Sequence, residues 1–211
     1  MASYTTNIPV NNVFNVTAVF GQSGSMWKNG HKGVDITAEN KTLYSICDGE
    51  VTVVGWDADG WGRYVSIKPS GFDRIRIILC HLVKDSVKVK VGDKVTRVTK
   101  IGTMGTSGNS TGVHVHVEMR VDNTPVDPTP YMLISNKRAS GLKDTDYKFN
   151  SNDQSAALTA VLAAFDTKNS TEPSHAECEK TIKSLEAELE GVKAKLAAAE
   201  SKIENVKKAI A

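Results

Sequence analysis

The segment Val113-His114-Val115-His116-Val117-Glu118 alternates apolar and polar residues with a period of two. Successive side chains on a strand point to opposite faces, so the valines turn into a core while His114, His116 and Glu118 share the other face. A chain that must seat such a strand needs a sheet with one packed face and one face left for chemistry.

The surrounding sequence supplies that sheet. From Asn12 to about Pro130 it consists of short β-branched runs broken by turn residues, and no window has a convincing helical period. Candidate strands cover residues 50–56, 63–68, 74–82, 87–91 and 113–120, separated by Asp48-Gly49, Asp59-Gly60, Ser70-Gly71 and Gly92-Asp93. Gly accepts positive φ and Asp bonds its own backbone, so each separator is a good turn. The expected fold is mainly β, an antiparallel meander over residues 1–135. Asp127-Pro-Thr-Pro130 removes two backbone donors where a sheet would have to end, and the composition turns polar and small from Ser135, which sets the boundary near 135.

Residues 136–174 read as a linker carrying one short helix, about 153–166. Leu158, Val161, Leu162 and Phe165 stand at i, i+3, i+4 and i+7, Asp153 is a candidate cap, and Asn169-Ser-Thr-Glu-Pro173 ends the helix. Residues 175–211 follow a heptad. His175, Ile182, Leu189, Leu196, Ile203 and Ile210 hold one register, and Cys178, Leu185, Val192, Ala199 and Val206 lie three residues after the first five of these. This is the pattern of a C-terminal coiled-coil helix and of a homo-oligomer joined through residues 175–211. In a parallel pair Glu188 would meet Lys193 and Lys195 would meet Glu200, while Lys202 would oppose Lys207, so the charges favour parallel pairing only slightly and the copy number stays open.

Charge excludes one class of partner. Lys and Arg number 26 against 24 Asp and Glu, and the balance is 14 to 12 before residue 136 and 12 to 12 after it, so neither part has the basic field that nucleic-acid binding needs. The apolar run from Ala156 to Phe165 is too short for a membrane span. Cys47, Cys80 and Cys178 are scattered and odd in number, which suits neither a disulfide framework nor a paired cysteine metal site.

Four of the five histidines, His31, His81, His114 and His116, fall in the β region. In His31-Lys-Gly-Val-Asp35 a histidine and a carboxylate have equal parity, so both can aim at one point if the segment is extended. Catalytic zinc takes three protein ligands and keeps a fourth position open. His31, Asp35 and one of the paired histidines meet that count and leave the other paired histidine, with His81, to act on water or substrate.

In order, the blocks His31-Lys-Gly-Val-Asp35-Ile, Leu43-Tyr-Ser-Ile-Cys-Asp48-Gly-Glu-Val51, Gly55-Trp56 with Gly62, Cys80-His81-Leu82, Val91-Gly-Asp-Lys-Val95, and Gly102 through Glu118 resemble the lysostaphin and LytM family of zinc metallopeptidases, over roughly residues 12–135. The resemblance implies that His31, Asp35 and His116 bind Zn²⁺ and that His81 and His114 are the catalytic histidines, His114 as base and His81 as oxyanion or proton donor. It also implies hydrolysis of peptide cross-links of bacterial peptidoglycan. Gly105, Gly108 and Gly112 match the family's Gly-rich turns and are expected to let an extended peptide approach. Val113 stands where the family often has Pro, Cys80 departs from the usual residue, and Trp27 is a candidate for an aromatic of the entry loop; these positions bear on which cross-bridge is cut.

Glu118 reads either as a group orienting a ligand or as a surface strand residue. A non-catalytic wall-binding or activator protein is the alternative function, but relatives of that kind tend to lack metal ligands that are present here. A cysteine peptidase using Cys80 is disfavoured because Cys80 and His81, as neighbours on a strand, would face apart. Met1-Ala-Ser-Tyr-Thr-Thr-Asn has neither a basic nor an apolar signal region. The expectation is therefore an enzyme made in the cytoplasm of an infected bacterial host, a phage endolysin released onto the wall or a virion-associated lysin.

Overall fold

The β-branched runs pair into strands that send alternate residues into one core. The computed structural model describes residues 5–149, 151–169, 183–186, 189–193 and 196. In chain order the strands are β1 (Thr5–Thr6), β2 (Val13–Ala18), β3 (Val34–Ala38), β4 (Thr42–Tyr44), β5 (Gly49–Asp57), β6 (Gly62–Pro69), β7 (Ile75–Leu82), β8 (Lys94–Val95), β9 (Lys100–Thr103), β10 (Val115–Val121) and β11 (Thr124–Val126). A one-turn helix α1 (Thr129–Met132), β12 (Ala139–Lys143), β13 (Lys148–Phe149) and the helix α2 (Ser151–Lys168) follow.

The main sheet has the order β12-β2-β3-β10-β7-β6-β5-β8, with β11 folded back on β10. Among the described residues its pairings are antiparallel. The expected meander is β5-β6-β7. The site depends instead on a long-range pairing, because β10 sits between β3 and β7 and so carries His116 to the side of Asp35. Val115, Val117, Met119 and Val121 of β10 are fully buried on the core face beside Val34, Ile36, Ile77 and Leu79.

Several boundaries differ from the sequence reading. Val113 is exposed and lies before β10, so the buried valines of the His-x-His segment are Val115 and Val117. Residues 87–91 do not form the expected strand. Val87 and Val89 pack partly on the core, but the backbone bonds are scattered, with Lys88 N–H reaching the Ile101 carbonyl (2.9 Å) and Lys90 N–H the Asp93 carboxylate (3.0 Å), and no ladder results. The sheet also continues past residue 135: β12 is its edge strand on β2, and the first compact unit extends through Phe165. Helix α2 joins that unit with the stripe expected of it. Leu158 is fully buried, and Val161, Leu162 and Phe165 pack partly against the same core, while Asp153 falls inside the helix rather than capping it.

The second unit begins at Asp166. Its residues 183–186, 189–193 and 196 are helical, and Leu185, Leu189, Val192 and Leu196 are exposed. The heptad positions His175, Cys178, Ile182, Ala199, Ile203, Val206 and Ile210 lie outside the described residues. Among the described residues, no helix is long and apolar enough to cross a membrane.

Two register breaks flank the polar face of the sheet. One lies between Val16 and Ala18 of β2, next to Asp35. The other separates Arg63 and Val65 of β6, which pair with Leu82 and Leu79, so β7 has an extra residue at Cys80-His81. His81 takes a left-handed backbone there, φ 63°. A bulge of this kind bends the strand and re-aims a side chain, at a cost of about 1–3 kcal/mol for the strained residue. The strict alternation expected for Cys80 and His81 does not hold at this point.

Candidate metal centre and active site

Asp35 and His116 are direct cross-strand partners, which places both side chains side by side on the face opposite the core. His31 arrives from the loop before β3. Its Nε2 lies 2.9 Å from His116 Nδ1 and 3.1 Å from Asp35 Oδ1, and His116 Nδ1 lies 2.8 Å from Asp35 Oδ1. Gly33 makes this convergence possible. A Cβ there would stand 2.2 Å from the Val117 carbonyl oxygen and 2.8 Å from the His116 ring, both too close for any side chain.

The remaining ring nitrogens are already engaged. His31 Nδ1–H donates to the Val19 carbonyl (3.0 Å) and His116 Nε2–H to Glu118 Oε2 (3.2 Å). With those tautomers, His31 Nε2 and His116 Nδ1 both turn lone pairs toward the Asp35 carboxylate. Three acceptors face one another at sites where His31, Asp35 and His116 are buried, and such an arrangement needs a proton or a cation at its centre. Two imidazole nitrogens and one carboxylate oxygen form a donor set suited to a divalent metal such as zinc, and these residues fit it. They are the only His, Cys, Asp or Glu cluster of this kind among the described residues.

Protonation in the metal-free protein follows the same logic. Burial pushes the His116 imidazolium down, but the Asp35 and Glu118 carboxylates outweigh it and hold His116 at about 9. Burial likewise opposes ionisation of Asp35, yet His116 and His31 together keep it well below the usual carboxylate range.

Glu118 is 1% exposed, so it is not the surface strand residue of one reading, and its Oε2 stands against the His116 ring as the other reading expects. Besides His116 it accepts Trp61 Nε1–H (2.9 Å) at Oε2 and Arg120 Nε–H (2.5 Å) at Oε1. The Arg120 guanidinium also lies 5.0 Å from the centre of the Trp61 ring. Sequence reasoning missed both partners. The parity that links His116 to Glu118 extends to Arg120 and could have found it; Trp61 sits in a turn, where no periodicity points to it.

The other two histidines face the same pocket. His81 Nδ1–H donates to the Ser107 carbonyl and His114 Nδ1–H to the Gly112 carbonyl, each at 2.8 Å, which leaves Nε2 as the lone-pair nitrogen of both rings. Their ring centres are 4.7 Å apart, and His114 Nε2 lies 3.6 Å from Asp35 Oδ1. Burial, with a smaller push from His114, outweighs the Ser107 carbonyl and lowers His81 to about 4, so its imidazole is neutral at pH 7. All five residues singled out in the sequence therefore line one pocket, together with Trp27 and Trp61. The Trp27 ring is 4.6 Å from that of His31.

One other expectation changes. A Cβ at Gly105 would meet the His81 carbonyl oxygen at 2.8 Å, and one at Gly108 would meet Gly62 N at 2.3 Å, so these glycines serve loop packing; only Gly112 opens to free space. Cys80 is fully buried, and burial drives its thiol well above the ordinary value, as no thiolate nucleophile would be.

Residues 29–128 match peptidase family M23. The chain is 35% identical to the peptidoglycan DD-endopeptidase ShyB of Vibrio cholerae over 61% of its own length and 31% of that protein. It is 31% identical to the glycyl-glycine endopeptidase ALE-1 of Staphylococcus capitis, over 62% of its own length and 39% of the relative. It thus spans well under half of either. The catalytic domain of lysostaphin from Staphylococcus simulans superposes with a TM-score of 0.52 at 26% identity, covering 57% of this chain and 93% of that one.

The raised His116 fixes a pH dependence. A group lifted from 6.5 to about 9 on folding contributes fully below pH 6.5 and loses its contribution as pH rises through 9. The melting temperature of the metal-free protein should therefore fall between those values, and His116→Ala should flatten that fall; calorimetry at stepped pH measures both.

Proposed function

We propose that this chain, which carries a lysostaphin-type domain of peptidase family M23, is a zinc-dependent endopeptidase that hydrolyses peptide cross-links of bacterial peptidoglycan. The observation that carries the reading is the meeting of His31, Asp35 and His116 with two further histidines in one pocket. The names of the relatives, a DD-endopeptidase of peptidoglycan and a glycyl-glycine endopeptidase, support the substrate class.

His31 Nε2, Asp35 Oδ1 and His116 Nδ1 would hold the ion, and Val19 and Glu118 keep both imidazoles in the tautomer that can bind it. When bound, zinc supplies Lewis acidity, polarising the scissile carbonyl and acidifying water from about 15.7 towards about 7. Hydrolysis adds the hydroxyl of water to the carbonyl carbon and its hydrogen to the amide nitrogen as the C–N bond breaks. His114 Nε2, beside Asp35, takes the proton of the attacking water. His81 Nε2 lies across from it. The proton taken by His114 passes to His81, whose ring centre is 4.7 Å away, and because burial disfavours charge on His81 it moves on to the leaving nitrogen, which returns both histidines to their starting state.

The tail reading accompanies this one. Leu185, Leu189, Val192 and Leu196 keep the heptad register on exposed helix, which supports self-association through residues 175–211. Several linked catalytic domains would gain avidity on a polymer with many cleavage sites.

Purified sacculi test the first reading by the amino groups released. The protein should cleave, excess chelator should abolish cleavage, and alanine at His31, Asp35 or His116 should do the same with loss of the metal. Alanine at His81 or His114 should keep the metal and lose turnover. Sacculi that bind the protein but stay intact would support the wall-binding alternative. Light scattering tests the tail: the full chain should weigh a multiple of its monomer mass, and Leu189→Asp with Leu196→Asp should return it to one copy, whereas a monomeric wild type would refute self-association.

A further inference from the structure

The pocket floor rests on a residue that no part of the proposed chemistry uses. Ser107 stands in the loop between β9 and β10, yet it touches both strands at the β6–β7 register break. Its Oγ–H donates to the Leu82 carbonyl (2.8 Å), and the same oxygen accepts the Arg63 backbone N–H (2.9 Å). Arg63 and Leu82 are paired across the ladder, so the hydroxyl stands between two backbone groups that paired strands would otherwise bond to each other. The Ser107 carbonyl then accepts His81 Nδ1–H at 2.8 Å, from the left-handed residue at the bulge.

The chain has been shaped to admit this residue. Gly62 has φ 62°, and a Cβ there would come within 2.3 Å of the Ser107 carbonyl group and 2.4 Å of its Oγ. Any side chain at Gly62 would lift the loop and carry the carbonyl away from His81. A second backbone bond, His81 N–H to the Trp61 carbonyl at 2.8 Å, secures the main chain but leaves the ring free to turn. The only hydrogen bond described for that ring is the one to Ser107.

We infer that Ser107 is a positioning residue: its hydroxyl splices into the broken β6–β7 ladder so that its carbonyl holds the His81 ring with Nε2 toward the pocket. This rests on the catalytic reading of His81. It explains why a serine should occupy a loop position that does not line the pocket, since a small hydroxyl can both donate and accept between two backbone groups while its main chain remains close.

The test uses the metal-loaded full chain on purified sacculi, with released amino groups as the rate. Ser107→Ala should keep its metal and lose roughly 10- to 100-fold in rate, as misplacement of a catalytic group does. In a His81→Ala background the same substitution should cost nothing further. Equal costs in both backgrounds, or no cost in the wild-type background, would overturn the role of Ser107. A fully active His81→Ala protein would overturn the reading of His81 itself, a separate outcome. Imidazole nitrogen NMR of the wild-type protein needs no variant to fold: His81 should be the Nδ1–H tautomer, and an Nε2–H tautomer would refute the bond to Ser107.

Discussion

Three buried acceptor atoms within about 3 Å of one another repel unless something positive lies among them, and the rest of the polar face is arranged around that necessity. The β3–β10 pairing supplies two of the atoms at fixed separation, and the side-chain-free Gly33 allows the His116 ring its place. The Val19 carbonyl and the Glu118 carboxylate each bind the outward ring nitrogen, so the inward nitrogens are the ones left to a metal ion or, on His116 in its absence, to a proton shared with Asp35. Glu118 is in turn held by Trp61 and Arg120, so the orientation of the His116 ring is backed by two further residues.

His81, proposed to move a proton, is positioned by a different device. Regular strands give alternation, which suffices for His116 and Glu118, but His81 reaches the pocket only through a bulge and a left-handed backbone. That conformation is unfavourable by itself and persists because Trp61, Ser107 and the glycine contacts around them determine it from several sides. Two kinds of control thus meet in the site: ladder register sets Asp35 and His116, and loop packing sets His31 and His81.

This division also explains what could be read from the sequence. Period two over 115–118 was legible as one face carrying His116 and Glu118, since ladder geometry follows from alternation alone, whereas the parity of His31 and Asp35 presumed an extended segment and His31 lies in the loop before β3. The apolar stripe on α2 was equally legible. Ser107, Trp61 and the left-handed turn of His81 were not, because they depend on loops that meet in space without any repeat along the chain. Val87 and Val89 misled for the opposite reason: they alternate and pack as a strand would, but no neighbouring strand offers them a ladder. The sheet edge at β12 escaped notice because Ala139–Lys143 is short and polar, and only its pairing with β2 makes it a strand.

The most direct test of the central claim is to titrate the metal-free chain with zinc at about pH 7.5 while counting the protons released. His116 carries a proton in the metal-free state because two carboxylates hold it there, and the ion must displace that proton from Nδ1. One equivalent of zinc should bind with release of protons, and His116→Ala should abolish both. Zinc uptake without proton release, or no uptake at all, would contradict the account.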